Sequence, residues 1–343
     1  MGSRGRTCAI AAVTIGWGLA ALPAAAQSDG YFKGKTFTIN VGGTAGGGID
    51  LGARMVSRYI AQYLPGHPSV LVQLVPGAGG VRLVEQLFSV APRDGTTIGA
   101  FATGPLIEPL ISTRKVAYKM SDFTAVGALE HDVNFCATFH TSQTKTLEDA
   151  KKRETTMAGT GAASSTDIYP LALNATLGTK FRVITGYVGT QETIMAIERG
   201  ETDGRCGWGY SSLKSSKPDW LREKKINFLV QLSLQKHPDA QDVPLALDLM
   251  RTDEDRQMMR ILVTPQEVTR PYLAPPGLPP ERAREVRAAF WSVMQDKDYQ
   301  AEYTKIMGEA PTPTKGEDMQ KLLESIYATP EPVVDRLRTI LKP

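Results

Sequence analysis

Thr38-Ile39-Asn40-Val41-Gly42-Gly43-Thr44-Ala45-Gly46-Gly47-Gly48-Ile49-Asp50 is the stretch on which the reading of this chain turns. Thr38–Val41 reads as a short strand. The glycine run behind it lets backbone come close to a small ligand. The helix that begins at Ile49-Asp50 offers free N–H groups and the positive end of a dipole. The pattern points to something small and anionic. Its surroundings decide among a nucleotide, a substrate and a transported solute.

Working outward, Phe37–Val41 is a strand and Asp50–Leu64 a helix, with Leu51, Met55, Tyr59, Ile60, Tyr63 and Leu64 on one face. Pro65-Gly66-His67-Pro68 ends that helix. Ser69–Val75 is nearly all apolar, as a parallel strand covered on both faces would be. Pro76-Gly77-Ala78-Gly79-Gly80 is a second glycine loop, followed by a helix over Val81–Val90 and a strand over Gly95–Phe101. This is β-α-β-α-β, the start of a doubly wound α/β domain.

A second series of the same kind runs from Asn134 to Leu232. Its strands are Phe135–Phe139, Thr156–Ala158, Val183–Thr185, Gly204–Trp208 and Ile226–Leu232. Its helices are Leu147–Lys152, Asp167–Leu177 and Thr190–Arg199, and Gly159-Thr160-Gly161-Ala162-Ala163-Ser164-Ser165 lies between a strand and a helix. Two such lobes define a cleft lined by helix N-termini. After the stiff connector Pro275-Pro276-Gly277-Leu278-Pro279-Pro280 the tail is helical, at Glu281–Gln295, Tyr299–Met307, Gly316–Tyr327 and Glu331–Leu341. It is expected to pack on the first lobe.

Residues 1–26 read as a secretory signal peptide: Arg4 and Arg6, the apolar run Cys8–Leu22, and Ala24-Ala25-Ala26 before Gln27. The run is shorter than the roughly 20 apolar residues a membrane anchor needs. The mature protein is expected in the periplasm. Formal net charge is +3 for the whole chain, and removing the two arginines of the leader leaves +1. This near-neutral balance gives no reason to propose nucleic acid as a partner. Cys136 and Cys206 remain after processing. In an oxidising compartment the favoured reading is a disulfide closing about 70 residues, the other being two buried thiols. His67, His131, His140 and His237 are not spaced as metal-ligand pairs, so no metal site is expected.

A dinucleotide site would need G-x-G-x-x-G and an acid at the end of the second strand. Here the spacing is G-G-x-x-G-G-G and that strand ends Gln73-Leu74-Val75-Pro76. The Gly-Lys-Ser/Thr of a P-loop and the G-x-S-x-G elbow of many hydrolases are missing too. No cofactor is expected. Ser164 and Ser165 read equally as helix caps and as hydroxyls for a ligand oxygen. Asp50 reads as a first-turn acid, and Arg54 as solvated or anchoring the loop. Arg205 could pair with a ligand carboxylate, although strand alternation leaves its face open. Trp208 could be core or cleft wall, and its place at a strand C-terminal end favours the wall.

The order of these motifs resembles the solute-binding receptors of tripartite tricarboxylate transporters, the TctC-like or Bug family of periplasmic binding proteins. The resemblance is carried by Gly46-Gly47-Gly48-Ile49-Asp50 with Ala53-Arg54, Pro76–Gly80, Ala91-Pro92-Arg93-Asp94-Gly95 and Gly159–Ser164. Tyr187-Val188-Gly189-Thr190, Arg199–Asp203, Asp242-Val243-Pro244 and Ala274–Pro279 continue it. It implies a type II periplasmic-binding-protein fold without catalysis. That fold would hold a small organic carboxylate and deliver it, as a monomer, to the membrane subunits of such a transporter. Carried over, the ligand-holding positions are Ala45, Gly46, Gly47 and Gly48; Thr160, Gly161 and Ser164; and Gly189 and Thr190. Ala45 stands where the family has Pro, Asp167 where it has His, and Thr190 where it has Gly. The expected division is lobe 1 at 27–131 plus 245–343 and lobe 2 at 132–244, with hinges near 130–134 and 235–260. Two other readings are an exported hydrolase with Ser164 or Ser165 as nucleophile, and a binding protein feeding a two-component kinase.

Overall fold

A computed structural model of the chain describes residues 1–2, 30–112, 116–162 and 164–341. The leader read at 1–26 lies, from residue 3 on, outside the described residues, as does Ala163 of the second-lobe loop. In chain order the strands are β1 (Thr36–Val41), β2 (Ser69–Leu74), β3 (Thr97–Ala100), β4 (Thr124–Glu130), β5 (Asn134–Phe139) and β6 (Thr155–Ala158). They continue with β7 (Phe181–Ile184), β8 (Gly204–Gly209), β9 (Ile226–Leu232), β10 (Thr269–Ala274) and β11 (Thr314–Lys315).

Two sheets share one design. The first has the order β2-β1-β3-β10-β4-β11 and the second β7-β6-β8-β5-β9. In the first, β1 runs parallel to β2 and β3, while β10 is antiparallel to β3 and β4. In the second, β6 runs parallel to β7 and β8, while β5 is antiparallel to β8 and β9. Apart from the short edge strand β11, which is antiparallel to β4, the antiparallel strand in each sheet is the one arriving from the other lobe: β5 directly after β4, and β10 on the return from β9. The chain therefore crosses between lobes at residues 131–133 and again within 233–268. With both lobes doubly wound about a cleft, the type II periplasmic-binding-protein arrangement is established.

Each face of the first sheet has its own apolar layer. The helix Gly48–Tyr63 buries Met55, Val56 and Ile60 against Phe37, Ile39 and Val41. On that same side lie the tail helices Pro280–Gln295 and Lys297–Met307, through Val286, Phe290, Tyr299 and Tyr303. The opposite face is closed by Leu83, Val84 and Leu87 of the helix Val81–Ser89, with Met319 and Leu323 of the helix Gly316–Tyr327. Full burial of such a side chain contributes roughly 1.5–3 kcal/mol. The last helix, Glu331–Ile340, reaches further. Its Leu337 joins Met258, Met259 and Leu262 of the helix Asp253–Val263, and Ile168 and Leu173 of the helix Ser165–Leu177. The segment from Asp253 to Val263 thus packs into the apolar layer of the second lobe before β10 rejoins the first.

Two sequence expectations need correction. β2 is an edge strand, not one covered on both faces: Val70, Val72 and Leu74 face the core while Ser69, Leu71 and Gln73 are exposed. Leu71, half exposed, hid that alternation. The periodicity also passed over β4 and β10. β10 carries Arg270 and Pro271, residues that argue against a central strand, and it accommodates them with a register shift between Tyr272 and Leu273.

Cys136 on β5 and Cys206 on β8 form a disulfide, with both residues fully buried. The strands are neighbours in the second sheet, so the bond ties the strand that enters the lobe to one that lines the cleft. In the chain-entropy picture the 70-residue separation gives about 4 kcal/mol. Replacing both cysteines by alanine should lower the unfolding free energy in urea by about that amount. An unchanged midpoint would show that the bond does not constrain the unfolded chain.

Candidate functional site

The C-terminal ends of β1, β3, β6 and β8 open on a cleft of about 130 Å³ between the lobes. Gly43, Thr44, Gly47, Gly48 and Ile49 line it from the first glycine loop, and Gly79 from the second. Thr160, Ser164, Ser165, Val188, Gly189, Thr190, Arg205 and Trp208 line it from the second lobe. The two crossings add Asp132, Asn134, Gln266, Thr269 and Arg270.

Four helices begin at this cleft, and the first amides of each lack intrahelical partners. Two have those groups satisfied by the protein itself. Ser164 caps the helix Ser165–Leu177, its Oγ accepting from the Thr166 amide at 3.3 Å. The carboxylate of Asp132 accepts from the amides of Val133 at 2.8 Å and Tyr210 at 3.1 Å, at the head of the helix Tyr210–Ser216. The other two have glycine at the cap and no side-chain cap: Gly47 before Gly48–Tyr63, and Gly189 before Thr190–Glu198. These two helix starts line the cleft from opposite lobes. Ser164 caps the helix Ser165–Leu177 and Ser165 is its first residue, and both line the cleft.

Around these amides the loops are tied down from behind. Asp50 Oδ2 accepts from the Gly46 amide at 2.9 Å, and its other oxygen pairs with Arg54 Nε at 2.8 Å. Asp50 and Arg54 are loop anchors. Asp167 does the same for the second lobe, accepting from the Gly161 amide at 3.1 Å and from Thr166 Oγ1 at 2.8 Å. It does not line the cleft, so its charge is spent within the loop.

The lobes touch through these loops. Gln191 Nε2 donates to the Gly46 carbonyl at 3.2 Å. A Cβ on Gly189 would stand 2.4 Å from Thr44 Oγ1 and 3.2 Å from Thr44 Cβ, and one on Gly79 would stand 2.8 Å from Ser164 Cβ. Gly161 faces Ala78 in the same way. Of the positions carried over from the resemblance, Ala45 and Gly46 are exposed and, with Gly161, fall outside the cleft lining. Gly46 and Gly161 engage in loop bonds and lobe contact instead, because the backbone turns outward at the tip of each loop before the helix begins.

Sequence reading missed the groups at the crossings. Arg270 is buried at φ 54°, forms an ion pair with Glu130, and donates to the Gly48 carbonyl at 2.9 Å and to Ser211 Oγ at 3.1 Å. Tyr303 also bonds to Glu130. A Cβ on Gly48 would stand 2.7 Å from the guanidinium, which is why the glycine run extends to that position. Gln266 joins Thr103 Oγ1 at 3.0 Å to Tyr169 Oη at 2.7 Å. The chain's four histidines, His67, His131, His140 and His237, lie outside the cleft lining. Among the described residues no group of three His, Cys, Asp or Glu is placed to hold a metal ion.

No family model matches the chain. A UPF0065 protein from the gbd 5' region of Cupriavidus necator is 42% identical over 93 residues, 27% of this chain and 27% of that protein. The match therefore spans about a quarter of the relative's length. Among solved structures, the periplasmic binding protein BugD superimposes with a TM-score of 0.70 at 18% identity, covering 89% of this chain and 97% of that one. MatC of Rhodopseudomonas palustris, solved with bound malate, gives 0.68 at 20% identity over 90% and 99%. Another R. palustris protein, solved with adipate, gives 0.67 at 16% identity over 88% and 97%. The chain shares the fold of these periplasmic binding proteins, the group its ordered motifs resemble.

Burial pushes the Asp132 carboxyl up to about 6, against the hydrogen bonds from Ser211 and the Val133 amide that pull it down, with Glu309 adding repulsion. The unfolded chain releases this proton near 3.8. The stability this group contributes is therefore full below that value and lost as pH rises through about 6. Relative to Asp132→Asn, the wild type should gain unfolding free energy on going from about pH 7 to about pH 4. Parallel pH profiles for the two proteins in urea titrations would contradict the assignment.

Proposed function

We propose that this protein is a periplasmic solute-binding receptor. It captures a small organic carboxylate between its lobes and delivers it to the membrane subunits of a tripartite tricarboxylate-type secondary transporter. One observation carries the reading. The helix N-termini at Gly47 and Gly189 come from opposite lobes, lack side-chain caps, and face one cleft from which Asp50 and Asp167 are turned away. Such termini favour an anion through both their amides and their dipoles. The hydroxyls of Thr44, Thr160, Ser165 and Thr190 stand beside them on the cleft wall. A ligand held from both sides favours the closed arrangement, with residues 131–133 and the segment 264–268 as the hinge. The malate- and adipate-bound neighbours support the carboxylate class, and their periplasmic binding-protein character supports a role in the periplasm without catalysis. Ser165 lines the cleft without a histidine beside it to act as base, which disfavours the hydrolase reading.

A thermal-shift screen of mono-, di- and tricarboxylates and aromatic acids should yield at least one stabilising acid. At 100 times its dissociation constant the ligand adds about 2.7 kcal/mol. X-ray scattering should show compaction with that acid and not with others. Gly189→Ala would wedge its Cβ against Thr44, where the two lobes meet, and weaken binding about tenfold or more. Full affinity in that variant would mean that the two glycine-led loops do not come together around the ligand.

A further inference from the structure

We propose that Arg205 and Trp208 form a subsite on the second lobe that recognises a second acidic group on the ligand. The cleft then selects acids that carry an acceptor-only group away from the end held by the helix amides. This deepens the carboxylate reading and rests on it.

The placement begins with a bulge. Across β5 and β8, Ala137 pairs with Arg205 and Phe135 with Trp208, so Cys136 alone stands opposite both Cys206 and Gly207. The extra residue is taken up at Gly207, whose φ is 63° and whose Cβ would stand 2.4 Å from Ser165 Oγ. Without the bulge, residues three apart would point to opposite faces. With it, Arg205 and Trp208 share the cleft face, the guanidinium 5.1 Å from the indole centroid. The disulfide at Cys136 and Cys206 fixes the strands at this same register.

The donors of this pair are under-used. The Arg205 guanidinium donates to Thr193 Oγ1 at 2.8 Å and to the Gly207 carbonyl at 3.4 Å, both neutral acceptors. Its Nε has no partner, and neither has the Trp208 indole Nε1; both atoms are buried. Among the described residues no carboxylate lies within ion-pair distance of Arg205, although the residue is only 5% exposed. Burial lowers its pKa to about 10, with the more distant Asp167 opposing, so the group stays charged at neutral pH. A buried cation without a counter-ion is costly, and so is a buried N–H without an acceptor. One carboxylate relieves both, since it accepts from a guanidinium edge and has lone pairs left for an indole N–H. Trp208 also packs on Trp220, Ile194 and Leu213, so its ring belongs to the core while its N–H edge remains for recognition.

The test uses acids that differ only at one end: adipate against hexanoate, and succinate against butyrate, measured by isothermal titration calorimetry on the mature protein. In the wild type the better-bound diacid should bind at least 100-fold more tightly than its monoacid partner. Arg205→Gln should reduce that ratio to tenfold or less and leave monoacid affinity unchanged. Arg205→Lys should restore part of the ratio through its charge. Trp208→Phe, which keeps the ring, should weaken the diacid about tenfold and leave the monoacid unchanged. Equal affinity for diacid and monoacid in the wild type, or equal weakening of both in every variant, would overturn the subsite while leaving a carboxylate receptor. Binding of no carboxylate at all would instead overturn the receptor reading, and the subsite with it.

Discussion

The buried ion pair between Glu130 and Arg270 is the point on which the arrangement hangs. Glu130 ends the strand from which the chain leaves the first lobe, and Arg270 sits in the strand by which it returns. The guanidinium also reaches the start of the helix behind the glycine run and Ser211 of the second lobe, while Tyr303 brings in the tail. Removing one member of such a pair leaves the other buried and uncompensated, at a cost of roughly 3–5 kcal/mol. The left-handed backbone at Arg270 is a strained conformation for a non-glycine residue. It is held because sheet, helix and second lobe all determine it at once. The first glycine loop is therefore placed by a residue more than 200 positions further along the chain.

What could be read locally was read well. Glycine where the backbone must turn or come close, serine ahead of a helix, and apolar residues at helical spacing each obey short-range rules. Most of the elements of both lobes follow from them. The disulfide was legible because only two cysteines lie outside the segment read as a leader. β4 and β10 were not, since a strand containing Arg270 and Pro271 makes sense only once its neighbours and its bulge are known. The same applies to Asp132 and Gln266, whose roles come from segments far apart in sequence. Arg205 and Trp208 stood out by type, but strand alternation could not give them a common face, because the bulge at Gly207 changes the alternation between them.

Departures from the pattern of the family that the chain resembles also acquire a physical meaning. Asp167 stands where a histidine is usual, yet its carboxylate is turned into its own loop and holds the Gly161 amide. Thr190 in place of a glycine adds a hydroxyl to the cleft wall without capping its helix. Both changes leave the glycine caps at Gly47 and Gly189 in place and alter what surrounds them. Under the function proposed above, the backbone amides set the ligand class and the side chains around them its identity.

The sheet orders carry a consequence for assembly. Every strand of the second sheet lies between Asn134 and Leu232, one unbroken stretch of chain. The first sheet is composite: its centre is β10, wedged between β3 and β4, and it cannot close until residues from 269 onward have been made. A polypeptide produced from its N-terminus has all the strands of the second sheet, and both partners of the disulfide, while the first is still missing its middle. The second sheet can thus pair its strands early, while the apolar layer behind it waits for Met258, Met259, Leu262 and Leu337.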